Sequence, residues 1–138
     1  MIGYHYTTYS NWQKIKKEGL KPGPVTDYEV VSLVGETPQA IWFYTRNQEG
    51  FSHVGNVLLM AIKKQEMHVV KLKCTFNKEA LYKTKYGQNV ELTHEGLLGT
   101  EYYFHRNEPA VLVVKEVPPS KIKLMGVWDI SEKLKEND

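Results

Sequence analysis

The sequence predicts a single mixed α+β domain in which an antiparallel or split sheet dominates. Two observations support this fold class: short segments of alternating polar and apolar residues recur along the chain, and only two stretches show clear helical spacing. A length of 138 residues suits one domain with one core. We therefore expect one folded unit over residues 1–138, with a charged tail at 131–138 that frays.

The first half of the chain alternates between strand and helix patterns. Tyrosine and threonine favour a strand at the start, with Tyr4 and Tyr6 on one face and His5 on the other. Ser10 is the expected N-cap of a short helix that Gly19 ends. The predicted elements are a strand at 2–8, a helix at 11–18, a loop at 25–39 with a short strand near 30–33, and a strand at 40–45.

The second half is richer in strands. Val70, Leu72, Cys74 and Phe76 alternate with lysines, which is typical of a half-buried strand. The predicted elements are a helix at 54–65, strands at 68–76, 101–104, 111–117 and 122–130, and a weakly periodic surface segment at 77–99. This succession of strands makes a mostly antiparallel sheet the expected architecture.

The composition is that of an ordinary globular protein. Hydrophobic residues make up 41% and charged residues 25% of the chain, and the net charge of +2 is too small to indicate a nucleic-acid or membrane partner by itself. The longest apolar run, at residues 57–62, is far shorter than the ~18 residues that a membrane-crossing helix needs. The single cysteine, Cys74, cannot form an internal disulfide. The sequence therefore predicts a cytoplasmic protein without a membrane partner.

Other common functional sites are not expected. The histidines lack the paired spacing of a metal site, and Cys74 falls on the buried face of its strand, where it acts as a small apolar filler. Those histidines are His53, His68, His94 and His105. Nor does the chain contain the glycine-rich phosphate-binding motifs of Rossmann or P-loop proteins.

The opening strand and helix contain the first functional motif. His5 and Thr7 stand near the end of the strand, and Ile15, Gly19 and Leu20 follow in and after the helix. This arrangement resembles the opening of the ADP-ribosyltransferase superfamily, in which His-x-Thr or His-x-Ser precedes a helix with Ile-x-x-x-Gly-Leu. The resemblance implies that His5 contacts the adenosine ribose of NAD and that Thr7 supports it. The alternative is that a histidine among tyrosines only satisfies a local hydrogen bond.

The strand at 40–45 contains the second motif. It is similar to the family's second strand, which ends with an aromatic residue that stacks on nicotinamide. The resemblance gives this role to Tyr44, with Trp42 as the neighbouring candidate on the same face. Stacking suits the chemistry, because the ring that leaves NAD is a flat cation and the face of an aromatic ring attracts cations. Packing of either ring in the core is the competing interpretation.

The third motif is Glu108, which stands before an apolar strand and upstream of Pro118 and Ile122. This pattern resembles the family's last motif, a glutamate that opens a hydrophobic strand, and it implies that Glu108 is the catalytic residue. Its carboxylate would stabilise the positive charge that develops on the ribose as nicotinamide departs. Glu101 and Glu116 are competing carboxylates in the same region.

The resemblance implies a compact ADP-ribosyltransferase-like fold with two small, mostly antiparallel sheets around an NAD cleft. The expected activity is a glycosyltransferase reaction that uses NAD as co-substrate, releases nicotinamide and transfers ADP-ribose to a macromolecule. One alternative is a catalytically silent module of the same fold that binds NAD, ADP-ribose or a protein. The other is an enzyme similar to RNA 2′-phosphotransferases, which hold the RNA phosphate with several arginines, whereas this chain has only Arg46 and Arg106.

The acceptor and any regulatory partner stay open. Arg106 occupies the position, two residues before Glu108, at which arginine-modifying members of the family have a second glutamate. Small toxin-type members that modify a DNA base are also similar, so a protein or a single-stranded nucleic acid is the expected acceptor and an antitoxin is a candidate partner. Cations beside aromatic residues would hold a single strand, unless they form only a solvated face. These residues are Lys78, Lys83, Lys85, Arg106 and the aromatic run at 102–104.

Overall fold

A computed structural model describes residues 1–26, 30–31, 34–47, 55–83, 91–92 and 110–131 of the chain. Within these ranges the strands are β1 (Ile2–Thr8), β2 (Gly23–Pro24), β3 (Gln39–Tyr44), β4 (His68–Thr75), β5 (Glu91–Leu92), β6 (Ala110–Val113) and β7 (Ile122–Asp129). The helices there are α1 (Tyr9–Glu18) and α2 (Gly55–Lys63), with short 3₁₀ turns at Lys78–Ala80 and Pro119–Lys121. The predicted mixed α+β class is confirmed. No helix in these ranges is long and apolar enough to cross a membrane.

The strands form one antiparallel sheet in the order β5-β6-β3-β1-β4-β7, and β2 pairs with the start of β3. The prediction of two small sheets is therefore wrong. Tyr4 of β1 and Tyr44 of β3 are registered partners, and this pair joins the half made of β5, β6 and β3 to the half made of β1, β4 and β7. Alternation along a strand predicts which side chains share a face, but it does not predict how many strands join in one sheet.

The two faces of the sheet are covered by different helices. α1 packs on one face, in a cluster that contains Ile15, Leu20, Ile41, Phe43, Val70, Leu72, Cys74, Val111 and Val113. α2 covers the opposite face, where Val57 packs against Tyr4 and Tyr6. His5 lies on the α1 face and contacts Phe43 edge-on, with ring centroids 5.8 Å apart. The predicted division of β1 into a tyrosine face and a histidine face is thus confirmed.

The helix α1 begins earlier than the sequence predicts. Its N-cap is Thr8 and not Ser10, because the Thr8 Oγ1 accepts a hydrogen bond from the Asn11 backbone N–H at 3.4 Å. Since Thr8 is also the last residue of β1, the strand passes directly into the helix. Gly19 ends the helix as predicted, with a φ of 83°, and a Cβ at this position would lie 2.4 Å from the Val117 carbonyl oxygen. Glycine therefore lets the end of α1 approach the chain that follows β6.

The loop before β3 contains helical backbone where the sequence predicts a short strand near 30–33. Val30 and Val31 are helical, and the Gly35 N–H donates to the Val31 carbonyl oxygen at 2.9 Å. Val30 is fully buried in a cluster with Ala40 and Leu112. β-branched residues have an intrinsic preference for strands, but here the burial of the Val30 side chain against the sheet outweighs that preference and stabilises the helical turn.

β4 is covered on both faces, whereas the sequence predicts a half-buried strand. Residues 69–72 are all buried, because α1 packs on one face and α2 packs on the other, where Val69 contacts Ala61. The register with β7 shifts between Lys71 and Leu72, which leaves Met125 of β7 without an opposite residue. The helix predicted at 54–65 is confirmed as α2, in agreement with the helical spacing of its apolar residues.

The last two strands meet the predictions in part. β7 confirms the strand predicted at 122–130. β6 ends at Val113, short of the predicted end at residue 117, and there Val113 also forms an isolated antiparallel bridge with Leu81, in which the Val114 N–H donates to the Ala80 carbonyl oxygen. Outside the described residues lie the strand predicted at 101–104, most of the segment at 77–99 and the tail after residue 131.

Candidate functional site

The strands β1 and β3 meet and then separate. Tyr4 and Tyr44 are their registered pair, and the first two residues of β3 pair with Gly23 and Pro24 of β2. Residues 5–8 of β1 and 39–43 of β3 therefore diverge, and we call this diverging stretch together with the Tyr4–Tyr44 pair the seam. On its other edge β1 is paired with β4 along its whole length. The seam is thus the stretch of the sheet in which β1 and β3 have one registered pair.

His5 lies in the seam and bonds across it. Its Nδ1 is 2.9 Å from the carbonyl oxygen of Trp42. A carbonyl oxygen only accepts, so Nδ1 must carry the proton, and in the neutral ring Nε2 is then an acceptor. Burial lowers the pKa of His5, although the hydrogen bond to the Trp42 backbone works in the opposite direction. The imidazole is therefore neutral near pH 7 and presents one acceptor nitrogen.

A residue in the first turn of α1 holds the Thr7 side chain in place. Thr7 is buried, and its Oγ1 accepts a hydrogen bond from the Asn11 side-chain amide at 2.9 Å. Asn11 also gives its backbone N–H to Thr8, so one residue of α1 fixes both threonines at the end of β1. A threonine hydroxyl that accepts one hydrogen bond still has a proton to donate. Asn11 was not singled out by the sequence, although its place in the first turn after a Thr-Thr pair is a signal for this arrangement.

The two aromatic candidates lie together on the other face of the sheet. The Trp42 and Tyr44 rings are tilted by 59° with centroids 6.2 Å apart, and both side chains are half-buried. Tyr44 also meets Tyr6 edge-on, at 5.8 Å and 78°. These rings form a wall that crosses the seam from β3 to β1. A wall of this kind offers apolar surface with cation-attracting faces.

The structure brings the four described candidates to the seam but not to one face. His5 and Thr7 lie on the α1 face, whereas Trp42 and Tyr44 lie on the α2 face. The two pairs meet through the backbone, since His5 is bonded to the carbonyl of Trp42 itself. The four candidates are therefore adjacent along the chain of contacts across the seam but do not line one face of the sheet.

The carboxylate candidates are not assembled with these residues in the part of the chain that the structure describes. Glu108 and Glu101 lie outside the described residues. Glu116 is exposed and lines a groove of about 260 Å³ beside the two 3₁₀ turns, and none of the four seam candidates lines that groove. This position separates Glu116 from the seam residues and disfavours it as their catalytic partner.

The proposed nucleic-acid surface is described only in part. Lys78 and Lys83 are exposed, whereas Lys85, Arg106 and the aromatic run at 102–104 lie outside the described residues. Cys74 is fully buried, and burial raises the pKa of its thiol to about 12. A thiol with that pKa stays protonated at neutral pH, which supports the interpretation of Cys74 as an apolar filler.

A buried lysine is the feature that the sequence did not reveal. Lys71 of β4 is only 5% exposed, and its Nζ lies 5.0 Å from the centroid of the Tyr4 ring and 5.7 Å from that of Tyr6. The same Nζ donates a hydrogen bond to the Oδ1 of Asn47, just after the end of β3. Alternation grouped Lys71 with solvent-facing lysines. The signal that could have found it is the pair of tyrosines at positions 4 and 6 of the neighbouring strand.

Glu66 is a further contact at the end of β1 that leads into α1. Its Oε1 accepts a hydrogen bond from the Ser10 backbone N–H at 3.0 Å, in the first turn of α1. Burial raises the pKa of Glu66, but hydrogen bonds from Ser10 and Thr8 outweigh it, so the net pKa lies below its usual value. The carboxylate thus anchors the junction between β1 and α1 as an anion.

Comparison of the chain with family models, with curated proteins and with solved structures finds no match.

Proposed function

We propose that this chain is an NAD-dependent ADP-ribosyltransferase, which transfers ADP-ribose to a macromolecular acceptor and releases nicotinamide. One observation carries the proposal. The His5 imidazole lies between β1 and β3 and is bonded to the carbonyl of Trp42, whose ring stands beside Tyr44. The residues that the family resemblance selects on β1 and β3, 37 positions apart, therefore meet at one seam.

The adenosine end of NAD is assigned to His5 and Thr7. With Nδ1 occupied by a carbonyl, the neutral ring accepts a hydrogen bond at Nε2, and a ribose hydroxyl is the matching donor. Thr7 supports this position and is itself held by Asn11. The nicotinamide end is assigned to Tyr44, with Trp42 beside it, because a cationic ring gains most from an aromatic face that is already held by packing.

The chemistry breaks the bond between the ribose carbon and the nicotinamide nitrogen. The electron pair of that bond leaves with nicotinamide, and positive charge develops on the ribose. In this proposal Glu108 stabilises that charge by a hydrogen bond to a ribose hydroxyl, as its resemblance to the family's last motif implies. The acceptor then forms the new bond to the same carbon and loses its proton. Protein and single-stranded nucleic acid remain the two acceptor classes.

The proposal is tested by incubating the purified protein with NAD and with candidate protein and nucleic-acid acceptors. Free nicotinamide together with a mass increase of one ADP-ribose group on an acceptor supports it. Binding of NAD without release of nicotinamide indicates the silent binding module instead. Removal of the phosphate from a 2′-phosphorylated RNA indicates the phosphotransferase alternative. Absence of NAD binding by calorimetry overturns the assignment of the seam.

A further inference from the structure

Lys71 and Asn47 form a polar contact beside the aromatic wall. Lys71 lies opposite Tyr6 in the register of β1 with β4, and its ammonium is close to the faces of Tyr4 and Tyr6. Tyr6 is also the edge-on neighbour of Tyr44. A lysine that is 5% exposed must be kept in place by specific partners, since burial of a charge without them is costly. The tyrosine faces and the amide oxygen of Asn47 are such partners.

This contact determines which way the Asn47 amide points. An ammonium group can only donate, so the atom that faces Lys71 must be the amide oxygen, Oδ1. The amide nitrogen is then at the opposite side of the group, with two N–H donors. Asn47 itself is exposed, and it stands three residues after Tyr44. The lysine therefore presents oriented donors to solvent at the end of the strand that carries the aromatic wall.

We propose that Asn47 is a ligand-binding residue whose Nδ2 donates to the carboxamide oxygen of nicotinamide, and that Lys71 is its positioning residue. This inference rests on the proposed function, because it places the nicotinamide ring against Tyr44. The adjacent ammonium withdraws electron density through Oδ1, which makes the amide N–H groups better donors. The carboxamide of nicotinamide has one carbonyl oxygen, which is a neutral hydrogen-bond acceptor. When the nicotinamide ring stacks on Tyr44, this oxygen is the group that accepts from the Asn47 N–H.

The test compares two ligands, NAD and ADP-ribose, which share the adenosine and diphosphate groups but differ in the nicotinamide. We expect Asn47→Ala to raise the Kd of NAD about 3- to 10-fold, as for the loss of one hydrogen bond, and to leave the Kd of ADP-ribose unchanged. Asn47→Asp keeps an oxygen toward Lys71 but replaces the N–H donor with an acceptor, so we expect the Kd of NAD to rise at least as much as in Asn47→Ala. Asn77→Ala is the matched control, because Asn77 is exposed and lines the distant groove.

Lys71→Met tests the positioning role. We expect it to raise the Kd of NAD but not that of ADP-ribose. In the Lys71→Met background we expect Asn47→Ala to raise the Kd of NAD little further, because the Asn47 amide is then no longer oriented. Urea denaturation of each variant separates these effects from loss of the fold. An equal rise in the Kd of both ligands, or an unchanged Kd of NAD, overturns the inference while the proposed function stands. Failure of the parent protein to bind either ligand overturns the proposed function as well.

Discussion

The two edges of β1 differ in how completely they are paired. Toward β4, every residue from Ile2 to Thr8 has a registered partner, whereas toward β3 the registered pair is Tyr4 with Tyr44. One edge thus resembles an ordinary antiparallel ladder, and the other opens after one pair. The comparison teaches that a strand can be anchored along one side while its other side has a single registered pair, and it is to this second side that the proposed function assigns the ligand contacts. The closed edge is expected to determine stability, and the open edge is expected to determine binding and rate.

The largest expected effect is on the closed edge. Leu72 of β4 is fully buried and lies opposite His5 in the register, so Leu72→Ala removes core contacts and leaves a cavity. We expect the free energy of unfolding to fall by about 2–5 kcal/mol, measured by urea denaturation. Leu124→Ala is the matched control, because Leu124 is the partner of Leu72 on β7 but is 37% exposed. Equal losses in the two variants would contradict the assignment of stability to the buried ladder.

The next largest effect is expected at Glu108, the carboxylate to which the proposed function gives the catalytic role. Glu108→Gln keeps the size of the side chain and removes its charge, so we expect NAD affinity to be retained and the rate of transfer to fall about 100- to 1000-fold. Glu101→Gln and Glu116→Gln are the controls, with nicotinamide release as the measurement. If the Glu108 variant kept the parent rate and one of the controls lost it, the catalytic role would belong to that other glutamate.

A smaller effect is expected at His5. His5→Ala removes the ring to which the proposed function gives the hydrogen bond from the ribose hydroxyl, so we expect the Kd of NAD to rise about tenfold while the rate at saturation changes less. Calorimetry with NAD measures the first quantity and nicotinamide release measures the second. His68→Ala serves as the control, because His68 is half-exposed at the start of β4 and its Nε2 lies 4.0 Å from Asp129. An unchanged Kd in His5→Ala would leave His5 with only its structural bond to Trp42.

The smallest effect concerns the end of β1 and depends on pH. The pKa of Glu66 in the folded protein lies below its usual value of 4.5, so its contribution to stability is present above that pH and is lost as the pH falls through the folded pKa. We expect Glu66→Gln to lose less stability than the parent between neutral and acid pH. Glu18→Gln on the exposed end of α1 is the control. Identical pH profiles of the parent and the Glu66 variant would show that the anchor is not electrostatic.

The sequence predicted the local features that depend on periodicity. Alternation correctly separated Tyr4 and Tyr6 from His5, and it placed Trp42 and Tyr44 on one face, because neighbouring side chains on a strand point to opposite sides whatever surrounds them. The end of α1 at Gly19 was also predictable, since a positive φ and a close approach both require glycine. The roles assigned to these residues toward NAD remain predictions.

Features that depend on the assembled sheet were not predictable. Thr8 and Ser10 are both good N-cap residues, and the choice of Thr8 follows from where β1 ends against β4. The burial of Lys71 requires α2 and two tyrosines of a different strand, and no pattern within β4 encodes them. The number of sheets depends on the Tyr4–Tyr44 pair, which brings together residues 40 positions apart in the chain.

The bulge at Met125 has a consequence for the behaviour of the protein in concentrated solution. In the part of the sheet that the structure describes, β7 is the last strand, and it exposes Leu124, Met125 and Val127. A long, flat, apolar edge strand is a template for pairing with other copies and for aggregation. The extra residue bends this edge and breaks its regular spacing of hydrogen-bonding groups. We therefore expect the irregularity to disfavour pairing of this edge with a second copy, and we expect deletion of Met125 to increase self-association, measured by light scattering at high protein concentration.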